Sequence, residues 1–160
     1  MAAGAHYDIV LAGIVRGALS ELDGLPGEVL NRPVPLPEAN SLFALATHLL
    51  GSTEFWALQM GTGRDVDRDR DAEFHAGGSY ADLAARAERL VAALHDVLPG
   101  LSSDDLDRPG HGERRPSMLP AGQPVTVRDC LLHAIEHSGL HLGQIQITRQ
   151  LLVEGFAPRS

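Results

Sequence analysis

With one cysteine among 160 residues, Cys130, the chain cannot form an internal disulfide, and a reducing compartment is its natural setting. Aromatic residues make up only 4% and the formal net charge is -8, so neither the basic footprint nor the stacking surface that nucleic-acid binding needs is present. No uninterrupted apolar run approaches about 18 residues, and no membrane span is expected. The first residues, Met-Ala-Ala-Gly-Ala-His-Tyr-Asp, lack the basic start and apolar run of a secretory signal, so the expected location is the cytoplasm. Strand-like alternation, internal repeats and low-complexity tails are also missing. What remains fits one domain over residues 1–160, long enough to bury roughly 70% of its unfolded surface.

What is present is helical periodicity. Over 5–23 the apolar residues Ile9, Val10, Ile14, Val15, Leu19 and Leu22 recur at helical spacing, and Gly24 supplies a stop. The interior Gly13 and Gly17 each cost up to about 1 kcal/mol against alanine, tolerable where a neighbouring helix approaches closely. Residues 24–38 contain Pro26, Pro33, Pro35 and Pro37, which remove backbone donors and predict an extended crossover. Asn40 or Ser41 caps a second helix over 42–60, closed by Gly61. The sign-alternating stretch 63–71 reads as a solvated connection. Ser79, with Asp82 in the first turn, opens a third helix that reaches Leu98 and stops at Pro99-Gly100. Residues 99–125, rich in proline and glycine, make a second long connection with one turn at 103–106. Thr126 and Asp129 cap a fourth helix ending at Gly155. The expected fold is all-α: one antiparallel four-helix bundle with long connections between helices 1 and 2 and between helices 3 and 4.

The fourth helix carries the chemistry. His133, His137 and His141, spaced by four, advance about 40° per step and form one stripe, with Cys130 and Gln144 near the same line and apolar residues on both flanks. Burying a titratable ring without a partner costs a few kcal/mol, so something inside the fold must occupy those nitrogens. His137 and His141 at i and i+4 can share one ion, and a third ligand from another helix would complete a facial set for Zn²⁺ or a similar borderline metal. His48, on the inward side of helix 2 with Ala44, Leu45, Ser52 and Phe55, is the candidate; apart from it only His95 lies on an inward face of another helix, and His111 reads as a surface residue. A three-histidine site leaves coordination positions open, as catalytic rather than structural sites do. The alternative, histidines bonded to carbonyls or facing a wet cavity, would win for one histidine but is outweighed by three in register. The segment 133–137 also spells H-x-x-E-H, the inverted zinc-protease signature, but that motif needs a larger cleft, and Glu154 is the only acid beyond it. Glu136 lies about 100° round the axis from His137, too far to serve easily as a base beside it. Cys130 reads as a core residue.

The pattern His133-x3-His137-x3-His141-x-Gly143-Gln144, with His48 followed by Glu54-Phe55-Trp56, resembles the DinB/YfiT-like family of metal-binding four-helix bundles. The resemblance covers nearly the whole chain and implies a divalent metal, zinc or nickel, held by His48, His137 and His141. It gives His133 and Gln144 a place behind the ligands or in the wall of the pocket. Where many members read His-His-Arg-Gly-Gln, this chain reads Leu140-His141-Leu142-Gly143-Gln144, so anion binding at that spot loses its support.

The resemblance further implies a homodimer, for which the stripe Leu131, Leu132, Ile135 and Leu142 could serve, although it could equally pack on helices 1 and 3. The implied activity is that of a metal-dependent S-transferase or isomerase in which a low-molecular-weight thiol, such as mycothiol or bacillithiol, meets an electrophilic substrate. No residue is assigned a catalytic role. A non-catalytic metal-binding stress-response protein and a metal-dependent hydrolase stand as alternatives, and a basic or polar pocket opposite the metal would favour an enzyme.

Overall fold

The computed structural model describes residues 2–34 and 39–154. In chain order the helices are α1 (Ala5–Leu22), α2 (Gly27–Leu30), α3 (Leu42–Thr53), α4 (Arg70–Glu73), α5 (Tyr80–Val97), α6 (Ser103–Leu106) and α7 (Val127–Glu154). A π-helical segment, Glu54–Met60, continues α3 without a break. Among the described residues there is no strand, only an isolated bridge between Pro109 and Thr126. The fold is all-α, as periodicity requires.

The helix starts follow the caps written in the sequence. Ser41 Oγ accepts from the Ala44 N–H, and Ser79 and Asp82 form a reciprocal capping box. Thr126 and Asp129 do the same at α7: the Asp129 N–H donates to Thr126 Oγ1 and the Thr126 N–H to Asp129 Oδ2. Gly24 ends α1 with a φ of 72°, a conformation that glycine adopts without a steric penalty. Gly61 does not end the second long helix. It stays right-handed, Thr62 is still helical, and the turn out of the helix comes at Gly63, where φ is 74°. Pro35, Pro37 and Glu38, and the expected stop at Gly155, lie outside the described residues.

Cross-helix contacts set the directions. Gly4 meets Leu101 and Asp8 meets His95, so α1 and α5 run antiparallel. Trp56 meets His133 and His48 meets His137, so α3 and α7 do too. Glu21 with Gln146 and Gly17 with Leu142 show that α1 and α7 run in the same direction. Phe43 against Gly78 and Glu54 with Arg86 show the same for α3 and α5. The expectation of a wholly antiparallel bundle is therefore corrected: two neighbouring pairs are parallel. Because parallel neighbours need a crossover along the bundle, the chain between Gly63 and Ser79 must travel the length of α3. That passage brings α4 over the histidines.

Leu11, Leu22, Leu49, Leu50, Leu94 and Leu131 are fully buried and make the core between the helices. Of the second stripe on α7, Leu131 is buried, Leu142 packs over Gly17 of α1, and Leu132 stays 44% exposed. Gly17 therefore has the close neighbour that its presence in a helix called for, while nothing approaches Gly13. No helix among the described residues is long and apolar enough to cross a membrane.

Candidate metal centre and its cavity

His48 comes from the middle of α3 and is buried at 3% exposure; His137 and His141 come from successive turns of α7. A buried hydrogen bond of 2.7 Å between Thr53 and Ser138 ties the two helices together beside them. The imidazole Nε2 atoms converge: His137 Nε2 lies 3.2 Å from His48 Nε2 and 3.1 Å from His141 Nε2. The tautomers of the outer two are set from behind. His48 Nδ1 donates to the Glu73 carboxylate at 2.7 Å, and His141 Nδ1 donates to Gln144 Oε1 at 2.7 Å. Both rings, when neutral, therefore aim Nε2 lone pairs at His137 Nε2. Its single N–H, if carried there, could satisfy only one of them well.

Burial, followed by the charges that His141 and His48 would carry, pushes the His137 pKa down to about 4. His141 is shifted the same way, first by burial and then by His48. Converging lone pairs that resist protonation are what a divalent cation requires. An ion bound at about 2.0–2.1 Å would hold its nitrogens about 2.9–3.4 Å apart, which matches both separations. The residues present fit the group.

Glu73 is the anchor that the sequence did not reveal. Its side chain is 4% exposed and takes two bonds from Arg68, Nε to Oε1 at 2.6 Å and Nη2 to Oε2 at 2.9 Å, besides the one from His48. Burial alone would raise its pKa, but these bonds and the Arg68 charge hold the carboxyl below its ordinary 4.5. Gly51 makes the approach possible, because a Cβ there would overlap Glu73 Oε1. Thus Arg68, inside the stretch 63–71 read as a solvated connection, is drawn into a buried ion pair with Glu73 just beyond it. The one signal for it was Asp69, whose carboxylate caps the short turn carrying Glu73.

A second trio, His133, Glu136 and His137, also brings potential ligand atoms within 4.8 Å of one another. Glu136 Oε2 reaches to 3.1 Å from His133 Nδ1, three residues before it on the helix, but the pair is not aligned for a hydrogen bond and that buried nitrogen has no partner. Glu136 is half-exposed and nothing fixes it from behind, so the first trio is the better organised. His95 pairs with Asp8 on the other side of the bundle and His111 is exposed; neither approaches the trio. Cys130 is fully buried, and desolvation pushes its thiol pKa up to about 11.

A family model for the DinB superfamily matches residues 15–145. The chain belongs to the DinB superfamily. Among solved structures, it is similar to the conserved protein of locus from Enterococcus faecalis, with a TM-score of 0.71 over 96% of this chain and 99% of that one. At 16% identity, that likeness shows the fold alone. No curated protein matches.

In this DinB-superfamily bundle a cavity of about 470 Å³ opens beside His48 and His137. Ser52, Phe55, Trp56 and Gln59 form one wall, and the π-helical segment explains how. Residues eight apart, such as His48 and Trp56, lie about 80° apart round a regular α-helix, and a wider turn between them closes part of that angle. His133 lines the same cavity, its ring edge-on to Trp56 at 4.5 Å. The remaining rim is basic: Arg68 and Arg70 come from the crossover, Arg114 and Arg115 from the loop before α7. Sequence patterning could not find these, since each is an ordinary charged residue in a segment without periodicity.

Proposed function

We propose that this DinB-superfamily protein is an enzyme in which His48, His137 and His141 hold one divalent ion, zinc or nickel, and a low-molecular-weight thiol is transferred to an electrophilic substrate or used to isomerise it. The observation that carries the reading is the basic cavity beside the trio. A protein that only stores or senses a metal has no use for a substrate-sized chamber at its ligands. When bound, the ion supplies the positive charge that lowers the pKa of a thiol near neutral pH. Glu73 and Gln144 hold two of the rings in the ligating tautomer, and Arg68 keeps Glu73 ionised. His133 lines the cavity, with its Nδ1 3.1 Å from the Glu136 carboxylate. Among the described residues no carboxylate lines the chamber, which leaves a water-activating hydrolase without its usual base.

The test is to load the protein with zinc or nickel and assay mycothiol, bacillithiol, glutathione and cysteine against a generic electrophile, alongside His48→Ala. Turnover with at least one thiol that falls at least tenfold in the variant is expected. Equal rates in the two proteins with every thiol would defeat the transferase reading and leave a metal-binding protein without catalysis.

A further inference from the structure

The distribution of charge in this chain is uneven in a way the metal centre does not explain. The formal net charge is -8, the sequence contains no lysine, and its basic side chains are 13 arginines. Of these, Arg68, Arg70, Arg114 and Arg115 line one cavity, with no acidic residue among the described residues that line it. Guanidinium groups gathered in a pocket repel one another unless something anionic lies between them. A single cause does not hold all of them there.

Arg68 is committed to Glu73, and Arg115 donates to the carbonyl oxygens of Gln123 at 2.6 Å and Pro120 at 2.8 Å, bracing the loop. Arg70 and Arg114, both exposed at the rim, are different, because neither has a carboxylate or carbonyl partner among the described residues. Arg70 sits over the Phe74 ring at 5.2 Å, and Phe74 packs against His48 with ring centroids 4.7 Å apart. This stacking holds an uncommitted guanidinium close to the ligand rings. Phe55 and Trp56 supply an apolar wall opposite, and Gln59 and Ser117 supply neutral hydrogen-bonding groups.

We propose that the cavity binds a small organic carboxylate, with Arg70 and Arg114 as its cationic contacts and Phe55 and Trp56 against its apolar body. This rests on the enzyme reading above and names the class of substrate. A guanidinium fork matches a carboxylate with two parallel bonds, and that match is worth most inside a partly enclosed site. The apolar wall favours an organic acid over inorganic phosphate, which has no surface to place on it.

The test uses the full-length, zinc-loaded protein with no thiol present, titrated by calorimetry with benzoate, with benzamide as its uncharged isostere, and with inorganic phosphate. Trp56, the only tryptophan, gives one indole NMR signal that reports occupancy of the cavity. Benzoate is expected to bind about tenfold more tightly than benzamide and more tightly than phosphate. Arg70→Ala and Arg114→Ala should each weaken benzoate about fivefold or more, with metal content and melting temperature unchanged. Arg64→Ala, whose guanidinium lies 3.6 Å from exposed Asp96 and away from the cavity, should leave benzoate binding as it was. Equal binding of benzoate and benzamide would overturn the proposal, as would tighter binding of phosphate. So would benzoate binding that vanishes with the metal but ignores both arginine substitutions. Since no thiol takes part, a protein that passes this titration and fails the turnover assay loses the transferase reading alone.

Discussion

Glu73→Gln removes one charge from the centre of the site without changing the size of the side chain. Glu73 serves His48 and Arg68 together, with contacts of 2.7, 2.6 and 2.9 Å. A glutamine has one carbonyl oxygen for these donors, and its NH₂ must face either the His48 Nδ1–H or the Arg68 fork. If it faces His48, the imidazole flips tautomer and turns a proton toward the metal site. Losing a carboxylate behind a ligating histidine costs typically about 10–100-fold in metal affinity, equivalent to about 1.4–2.8 kcal/mol. The fold suffers as well. Breaking a buried pair costs about 3–5 kcal/mol, but the Arg68 side chain keeps 11% exposure and one acceptor survives, so about 1–3 kcal/mol is the expected loss. For a domain of this size that lowers the melting temperature by about 3–10 °C. Competition between apo-protein and a chromophoric chelator for Zn²⁺ at pH 7.5 measures the first quantity, and thermal unfolding of the apo-protein measures the second. The sign of the pH dependence follows from the lowered Glu73 pKa. Its stabilisation is complete above the unfolded value near 4.5 and fades as the pH falls through the folded value, so wild type and variant should converge in strong acid. A zinc affinity within twofold of wild type, with an unchanged melting temperature at neutral pH, would refute the role given to Glu73.

Gly51→Ala should act on the same link from the other helix, displacing the Glu73 carboxylate and lowering zinc affinity about tenfold; Gly13→Ala, with open space around it, should raise stability by up to about 1 kcal/mol in the same unfolding assay. His141→Ala removes one ring of the trio and should strip most bound metal in elemental analysis, whereas His111→Ala, on an exposed loop, should retain it. Cys130, buried with a thiol pKa raised to about 11, should resist iodoacetamide at pH 8 in the folded protein and react within minutes in denaturant; modification at equal rates in both states would contradict its burial.

Periodicity and caps were enough to locate the four long helices, because both are local. Gly24, Ser41, Ser79 and the Thr126–Asp129 pair act within one turn of their own backbone. The stripe of His133, His137 and His141 was legible for the same reason, since helical spacing alone places those rings on one line. That His48 would face them needed one assumption, that helix 2 turns its apolar side to helix 4, and α3 does so. The directions of the helices were not legible. They depend on which end of the bundle each connection returns to, and no residue of 63–79 encodes that by itself. Hence a run of alternating charge, which in isolation prefers water, became the strap that buries Glu73 and Arg68 against the trio. The π-helical segment and the four-arginine cavity were hidden in the same way. Sequence by itself determined which residues could be ligands. Tertiary structure alone decided what stands behind them and in front of them, because a buried charge is tolerated only where a partner distant in sequence is brought to meet it.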